Sequence, residues 1–396
     1  MCGIVGYTGE WNAAPVLLQG LSKLEYRGYD SAGIAISHVE NGENKIEVLK
    51  AKGRLQALKE MTDNGKAVTG NTGIGHTRWA THGEPSVANA HPHFSKDKRI
   101  VVVHNGIIEN YKDLKEHLQK KGYEFLSETD TEVLAHLLDY YYKGNPLEAI
   151  ARMQGRIRGS YALGILFADQ PETIYAVRKD SPLIVGTSEK GQFIASDVPA
   201  ILKYTKTVCY ISDMEIAKLT PGKITFYDVD QEEIDKEFKT VEWNAEAAEK
   251  GGFPHFMLKE IYEQPKAVLD TLSPRIRDGE IVIEELGMTE EEIRKVKRIQ
   301  MVACGSAYHV CMAGKYVLEQ LCGIPVDGDL ASEFRYRKPI LEEDTLVVVV
   351  SQSGETADSL AALRESKKRG FKVLGIVNVV GSSIAREADS VFYTWA

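Results

Sequence analysis

The chain has 396 residues, 43% of them hydrophobic and 27% charged, with a formal net charge of −9, which is enough for two globular domains and a linker. An acidic balance with both signs interspersed lacks the basic footprint that nucleic acid or an anionic membrane surface would require, so neither is expected as a partner. No apolar run approaches the roughly 20 residues of a membrane-spanning helix. The N-terminus M-C-G-I-V-G-Y has no basic stretch and apolar core of a secretory leader, so a cytoplasmic protein is expected. The five cysteines (2, 209, 304, 311 and 322) include no C-x-x-C pair. Neither a zinc site nor a disulfide framework is therefore indicated.

In chain order, G-I-V-G-Y (3–7) reads as a strand, and residues 13–26 carry Val16, Leu17, Gly20, Leu21 and Leu24 on one helical face. Apolar, β-rich runs at 31–38 and 45–50, a short helix at 54–61 and strands near 72–78 and 100–104 follow. Residues 111–121 are amphipathic. T-D-T-E (129–132) is a capping-box pattern opening a helix to about 143, and another helix covers 147–158. Strands are predicted at 160–168, 173–178, 183–187, 192–196, 214–219 and 223–229. Helices bracketed by many strands predict an α+β layered fold. Residues 230–252 are polar and weakly periodic and read as a linker, followed by a helix at 255–272.

From 289 a new order appears: helix 289–297, strand 299–303, helix 307–321, strand 345–350, helix 356–369 and strand 372–379. Alternating strands and helices predict a doubly wound parallel sheet with right-handed crossovers. The sequence ends at Ala396, directly after a strand-like V-F-Y-T-W, so this α/β domain is expected to be incomplete.

Candidate chemistry begins at Cys2. Removal of Met1 would give one residue both a thiol and a free α-amine, whose ordinary pKa of about 7.7–8.0 suits a general base. Nucleophile and base would then share a residue. His104-Asn105-Gly106 follows the buried run I-V-V-V. There the Asn105 side chain and the Gly106 amide can both point at a developing oxyanion. Arg78 could grip a carboxylate bidentately, and Asp130 could hold an α-ammonium or simply cap its helix. The histidines 76, 82, 91, 93 and 104 match no metal-ligand spacing and read as structural, so no metal is assigned. In the second domain, Ser351-Gln352-Ser353-Gly354-Glu355-Thr356 lies between a buried strand and a helix. Four hydrogen-bonding side chains beside free helix amides make a phosphate cradle at the carboxyl end of a parallel strand. Cys304-Gly305-Ser306-Ala307 is a second turn of the same kind.

M-C-G-I-V-G, L-E-Y-R-G-Y-D-S-A-G, H-T-R-W-A-T-H-G, N-A-H-P-H, H-N-G-I-I-E-N and T-D-T-E together resemble the class II, N-terminal-nucleophile glutamine amidotransferases. The resemblance implies an αββα glutaminase domain over 2–220. It implies Cys2 as the thioester-forming nucleophile and Asn105 and Gly106 as the oxyanion hole. Arg78, Thr81, His82 and Asp130 become glutamine-binding residues, Trp79 a gate on an ammonia path, and Arg27 part of a closing loop. Residues 221–288 are then a linker and connecting helix. Residues 289–396 resemble a SIS sugar-phosphate domain, which implies that Ser351, Gln352, Ser353 and Thr356 touch the phosphate. Ser306 would stand in where Ala307 lacks the hydroxyl usual in that turn.

The Y-R-G-Y-D-S-A-G version is similar to members that aminate a sugar phosphate. This implies L-glutamine and D-fructose 6-phosphate as substrates, sequestered ammonia as the carrier, no cofactor, and a homodimer in the full-length form. That subfamily's isomerase residues lie beyond 396, so glutamine hydrolysis without sugar amination is the expectation for this chain. A purine-pathway or asparagine-forming amidotransferase is the first alternative; the S-Q-S-G-E-T turn and the absence of G-x-x-x-x-G-K-[ST] argue against it. A non-enzymatic sugar-phosphate sensor is the second, and Cys2, Arg78, Asn105 and Asp130 together argue against it.

Overall fold

In the computed structural model, contacts divide the chain into Met1–Glu249 and Lys250–Ala396. Residues 2–25, 28–40, 42–80, 83–241 and 252–395 are described. The first unit is built on two antiparallel sheets. One runs, from edge to edge, Lys239–Thr240, Thr207–Tyr210, Ile184–Ser188, Gly191–Ala195, Gly3–Gly9, Thr72–Arg78, Ser31–Glu40 and Glu43–Lys52. The other runs Glu233–Ile234, Lys223–Tyr227, Ile216–Thr220, Ile174–Lys179, Gly159–Phe167, Ile100–Ile108 and His93–Phe94.

Period-two alternation sends each strand's side chains into two layers. Val5 and Tyr7 join the cluster under helices Ala13–Ser22 and Leu55–Met61. Their neighbour Ile4 joins Ile74, Val101, Val103 and Ala162 in a cluster between the sheets. Ile100 and Val102 face the other way, onto helices Tyr111–Gln119, Glu132–Tyr141 and Pro146–Gln154. Helices outside and two sheets inside make the expected αββα sandwich. Each fully buried aliphatic or aromatic side chain contributes about 1.5–3 kcal/mol.

The differences from the sequence reading are local. The first helix stops at Ser22 rather than 26, its last turn tightened by bonds from Lys23 N to Gly20 O and Leu24 N to Leu21 O. The strand expected at 100–104 continues to Ile108, so Asn105 and Gly106 lie inside a paired strand, with Gly106 opposite Tyr161. The T-D-T-E capping box does not form: Thr131 is the N-cap residue and makes no side-chain cap bond. Glu132 turns instead to the preceding loop, where its carboxylate accepts from Leu126 N (2.8 Å), Ser127 N (2.7 Å) and Ser127 Oγ (2.7 Å). The first unit also runs past 220, because Lys223–Tyr227 and Glu233–Ile234 extend its seven-stranded sheet. Short strands carry too few residues to show a period, so the edge strands His93–Phe94, Glu233–Ile234 and Lys239–Thr240 and the four-residue Thr207–Tyr210 went unpredicted.

The second unit holds helix Phe256–Leu272 and a five-stranded, all-parallel sheet. In space its order is Val326–Leu330, Arg298–Ala303, Thr345–Ser351, Lys372–Val377, Ser390–Tyr393. Numbered along the chain, that order is 2-1-3-4-5, a doubly wound arrangement whose direction reverses between Arg298–Ala303 and Thr345–Ser351. Val347, Val349, Val302 and Val373 are fully buried, which explains the continuous apolar run of a strand covered on both faces.

Burial alone would raise the Glu132 carboxyl, but the His136 imidazole and the Leu126 and Ser127 donors bring it down to about 2. A carboxyl lowered on folding stabilises above its unfolded pKa of about 4.3, and that stability is lost as pH falls through the folded value. Glu132→Ala should cost about 2–3 kcal/mol at pH 7 by leaving buried donors without an acceptor. Denaturant melts should show the gap between the two proteins closing as pH falls from about 4.3 towards 2. A gap constant with pH would contradict this assignment.

Candidate active site

Strand register decides where Cys2 sits. Gly3 pairs with Thr77 and Ile4 with His76, so Cys2 lies one residue past the pairing, at the rim of the layer between the sheets. Its Sγ accepts from Trp79 N (3.2 Å) and lies 3.6 Å from Trp79 O. Burial pushes the thiol up from its ordinary pKa, while the Trp79 amide and the Arg78 guanidinium pull it down. Asp30, in the Y-R-G-Y-D motif, fixes the strand end: its Oδ2 accepts from Ala80 N (2.8 Å), and Asp30 N donates to Arg78 O (3.0 Å).

Asn105 approaches from the other sheet. Its Nδ2 donates to Cys2 O (3.0 Å), and its Oδ1 lies 3.0 Å from His76 Nε2. His76 Nε2 is also 3.0 Å from His104 O. A nitrogen between two acceptors must carry the proton, so His76 is the Nε2–H tautomer and the Asn105 amide is oriented with its NH₂ towards Cys2. Gly106 has φ +129°, and a Cβ there would meet Ser160 O at 2.1 Å. Only glycine leaves this exposed backbone free to meet a ligand.

Arg78 ends its strand 4% exposed and donates from NH2 to Gly83 O (3.1 Å). Burial lowers its pKa, with Cys2, Asp130 and Asp30 acting in the opposite sense. Arg78 and Asp130 are both close enough to act on the Cys2 thiol. Asp130 does not cap its helix; its Oδ2 accepts from Ile108 N (2.8 Å), tying the 126–131 loop to the strand that carries Asn105. Trp79 is 43% exposed and sets its ring edge-on to Tyr29, centroids 5.3 Å apart.

The histidines form a scaffold behind these groups. His76 stacks on His91 (4.1 Å), and His104 N donates to His91 Nδ1 (3.3 Å). His104 Nδ1 meets Thr131 Oγ1 (2.9 Å), and His93 Nε2 meets Thr129 Oγ1 (3.1 Å). Among the described residues, no group of three or more His, Cys, Asp or Glu is placed to hold a metal ion.

The fold thus brings Cys2, Arg78, Trp79, Asn105, Gly106 and Asp130 together. Arg27, Thr81 and His82 lie outside the described residues. The sequence reading took His76 as a structural histidine, and the fold gives it a specific structural partner, Asn105 on the facing sheet.

In the second unit, Ser351 Oγ lies 3.2 Å from Thr356 Oγ1 and accepts from Gly354 N (3.1 Å). Ser353 Oγ accepts from Glu355 N (3.2 Å), and Gln352 O from Asn378 N (3.1 Å). Gly354 has φ +64°, and a Cβ would meet Ser382 Oγ at 2.0 Å. Glu355 Oε1 accepts from Ser383 N (2.7 Å), clamping the turn against the 378–384 segment. Ser306 opens helix Ser306–Cys322 after the neighbouring strand. Both turns therefore leave the carboxyl ends of the two strands at the switch point, where such sheets bind ligands. Ser359 Oγ joins them through Cys304 Sγ (3.7 Å).

Burial holds the His76 imidazole down to about 3. Nitrogen-15 NMR should therefore show its ring neutral, in the Nε2–H tautomer, from about pH 5 to 9. A titration near 6.5, or the other tautomer, would refute the orientation assigned to Asn105.

Residues 76–203 match the glutamine amidotransferase domain, and residues 292–396 match the SIS domain. Over its whole length the chain is 57% identical to a glutamine–fructose-6-phosphate aminotransferase (isomerizing) of Clostridium acetobutylicum and 49% identical to one of Thermus thermophilus. It spans 64% of the length of each of these relatives. Glutamine phosphoribosylpyrophosphate amidotransferase from B. subtilis is similar in structure at 17% identity, with a TM-score of 0.51 over 99% of this chain and 90% of that one, a likeness of fold alone. No helix among the described residues is long and apolar enough to cross a membrane. With its sandwich fold, both domain matches and similarity along its full length, this chain joins a glutamine amidotransferase domain to a SIS domain.

Proposed function

We propose that this chain releases ammonia from L-glutamine at Cys2, as part of converting D-fructose 6-phosphate and L-glutamine to D-glucosamine 6-phosphate and L-glutamate. The observation that carries the reading is the meeting of the Cys2 thiol, the oriented Asn105 amide, Arg78 and Asp130 at one end of the inter-sheet layer. The similarity to the glutamine–fructose-6-phosphate aminotransferases of C. acetobutylicum and T. thermophilus supports the sugar half of the reaction.

Removal of Met1 frees the Cys2 α-amine. The amine takes the thiol proton as sulfur attacks the glutamine γ-carbonyl, which suits a thiol raised by burial. Asn105 Nδ2 and Gly106 N donate to the tetrahedral oxyanion. The ammonium of Cys2 returns the proton to the leaving nitrogen, ammonia departs, and water cleaves the thioester to glutamate. Arg78 binds the substrate α-carboxylate and Asp130 its α-ammonium, with Thr81 and His82 assisting; Arg27 and Trp79 close the site. Every step uses groups of the chain, the substrate or water. Ser351, Gln352, Ser353, Thr356 and Ser306 take the sugar phosphate. A homodimeric full-length form in the cytoplasm, without nucleic-acid or membrane partners, belongs to the same proposal.

The two roles separate kinetically. Asn105→Ala should lower kcat for glutamine hydrolysis by about 10²–10³ with KM little changed, as for loss of one oxyanion donor. Arg78→Lys should raise KM about tenfold or more, since the bidentate grip is lost. Mass spectrometry after treatment with a glutamine-analogue electrophile should find the adduct on an N-terminal Cys2. Modification elsewhere, or unchanged hydrolysis by Cys2→Ser, would sink the proposal. Ser351→Ala with Thr356→Val should weaken D-fructose 6-phosphate binding about tenfold or more by calorimetry, with glutamine hydrolysis intact.

A further inference from the structure

Away from Cys2, the first unit has a cavity of about 420 Å³ between strand Glu43–Lys52, the hairpin turn at 95–98 and the segment 126–132. Its apolar wall includes Met61, Val87 and Leu126, which are 53%, 53% and 70% exposed. Its charge is unbalanced. Lys50 Nζ and Lys98 Nζ each lie 5.3 Å from the centroid of the same ring, Phe94. Lys98 is held there by a tight turn, with φ +58° and its N bonded to Ser95 O (2.8 Å). Among the described residues, neither ammonium has a carboxylate within 4.0 Å.

The carboxylate lining the cavity, Glu132, is already engaged by Leu126 N, Ser127 N and Ser127 Oγ, with His136 Nε2 at 3.6 Å. His93, also in the wall, is held neutral by burial and bonded to Thr129. Two like charges crowded on one ring, beside a carboxylate that already has its partners, are an arrangement that an incoming anion relieves. Burial even drives the Lys50 ammonium down to about 8.

We propose that this cavity binds a small organic anion: a carboxylate, sulfonate or phosphate head between Lys50 and Lys98, on an apolar body that lies over Phe94 and against Leu126 and Val87. The head must be an acceptor because both flanking groups are donors. The body must be apolar because Phe94, Val87, Met61 and Leu126 form much of the remaining wall. Occupancy has a direct route to the cysteine site. Thr129, Asp130, Thr131 and Glu132 are consecutive. Thr129 and Glu132 belong to the cavity side through His93 and Ser127, while Asp130 and Thr131 hold Ile108 and His104 on the strand of Asn105. An anion in the cavity therefore regulates glutamine binding. This consequence rests on the glutaminase reading; the binding itself does not.

The test titrates the whole 396-residue chain with 8-anilinonaphthalene-1-sulfonate, an aryl sulfonate with an apolar body, followed by calorimetry and fluorescence. One site per chain is expected. Lys98→Met, an exposed substitution that leaves the core untouched, should weaken binding about fivefold or more, and Lys50→Met with Lys98→Met about thirtyfold or more. Lys190→Met, on another surface, should leave binding unchanged. Saturating probe should shift the KM for glutamine at least twofold in the parent chain and not in the double variant. Absence of a stoichiometric site, or equal affinity in parent and Lys98→Met, would overturn the proposal. Unshifted KM despite binding would overturn its regulatory part. Cys2→Ser should still bind the probe, so that failure of the glutaminase reading and failure of this site give different results.

Discussion

The antiparallel pairing of strand Gly3–Gly9 with Thr72–Arg78 is the constraint on which the first unit's chemistry depends. Because Gly3 lies opposite Thr77, the second residue of the chain is carried to the backbone of Trp79, which meets its sulfur. A slip of one residue would turn Ile4 out of the inter-sheet cluster and reverse the face on which Cys2 is presented. The core thus holds Cys2 in place: the free energy of burying Ile4, Ile74 and Val101 selects the one register in which Cys2, Arg78 and Asn105 share an end of the layer.

Across that layer, the two sheets are joined by polar bonds where apolar packing stops. His76 reaches from one sheet to Asn105 on the other, and Asn105 reaches back to Cys2. These are few contacts, but they lie where water is largely excluded and each bond is strong. Burial keeps His76 neutral, so it acts as a fixed donor rather than a titrating base. The same burial raises the Cys2 thiol above its ordinary pKa. One physical cause, burial, underlies both the fixed His76 donor and the raised thiol.

The second unit gathers its polar groups by a different geometry. Its parallel strands end on one side, and the helices that follow expose unpaired amides there. Gly354 and the clamp from Glu355 to Ser383 shape the turn so that the hydroxyls of Ser351, Ser353 and Thr356 stay close to those amides. In the first unit the charges beside Cys2 are instead buried side chains, Arg78 and Asp130, each fixed by backbone partners.

Much of this was legible in the linear sequence, because it depends on neighbours. Period-two runs marked most long strands, the switch to strand–helix alternation marked the second unit, and the motifs around Cys2, Asn105 and Ser351 carried their chemistry in adjacent residues. What only the tertiary structure decided is non-local. The bond that orients Asn105 joins residues 29 apart, and the one that brings it to Cys2 joins residues 103 apart. Local pattern also left Asp130 open between capping its own helix and holding a ligand, and the fold gives its carboxylate to Ile108 N. It likewise ended the strand at 104, where the pairing of Gly106 with Tyr161 carries it on to Ile108. Residues a few positions apart meet whatever the fold; residues a hundred apart meet only when burial of the apolar faces between them has chosen one register and one layer order.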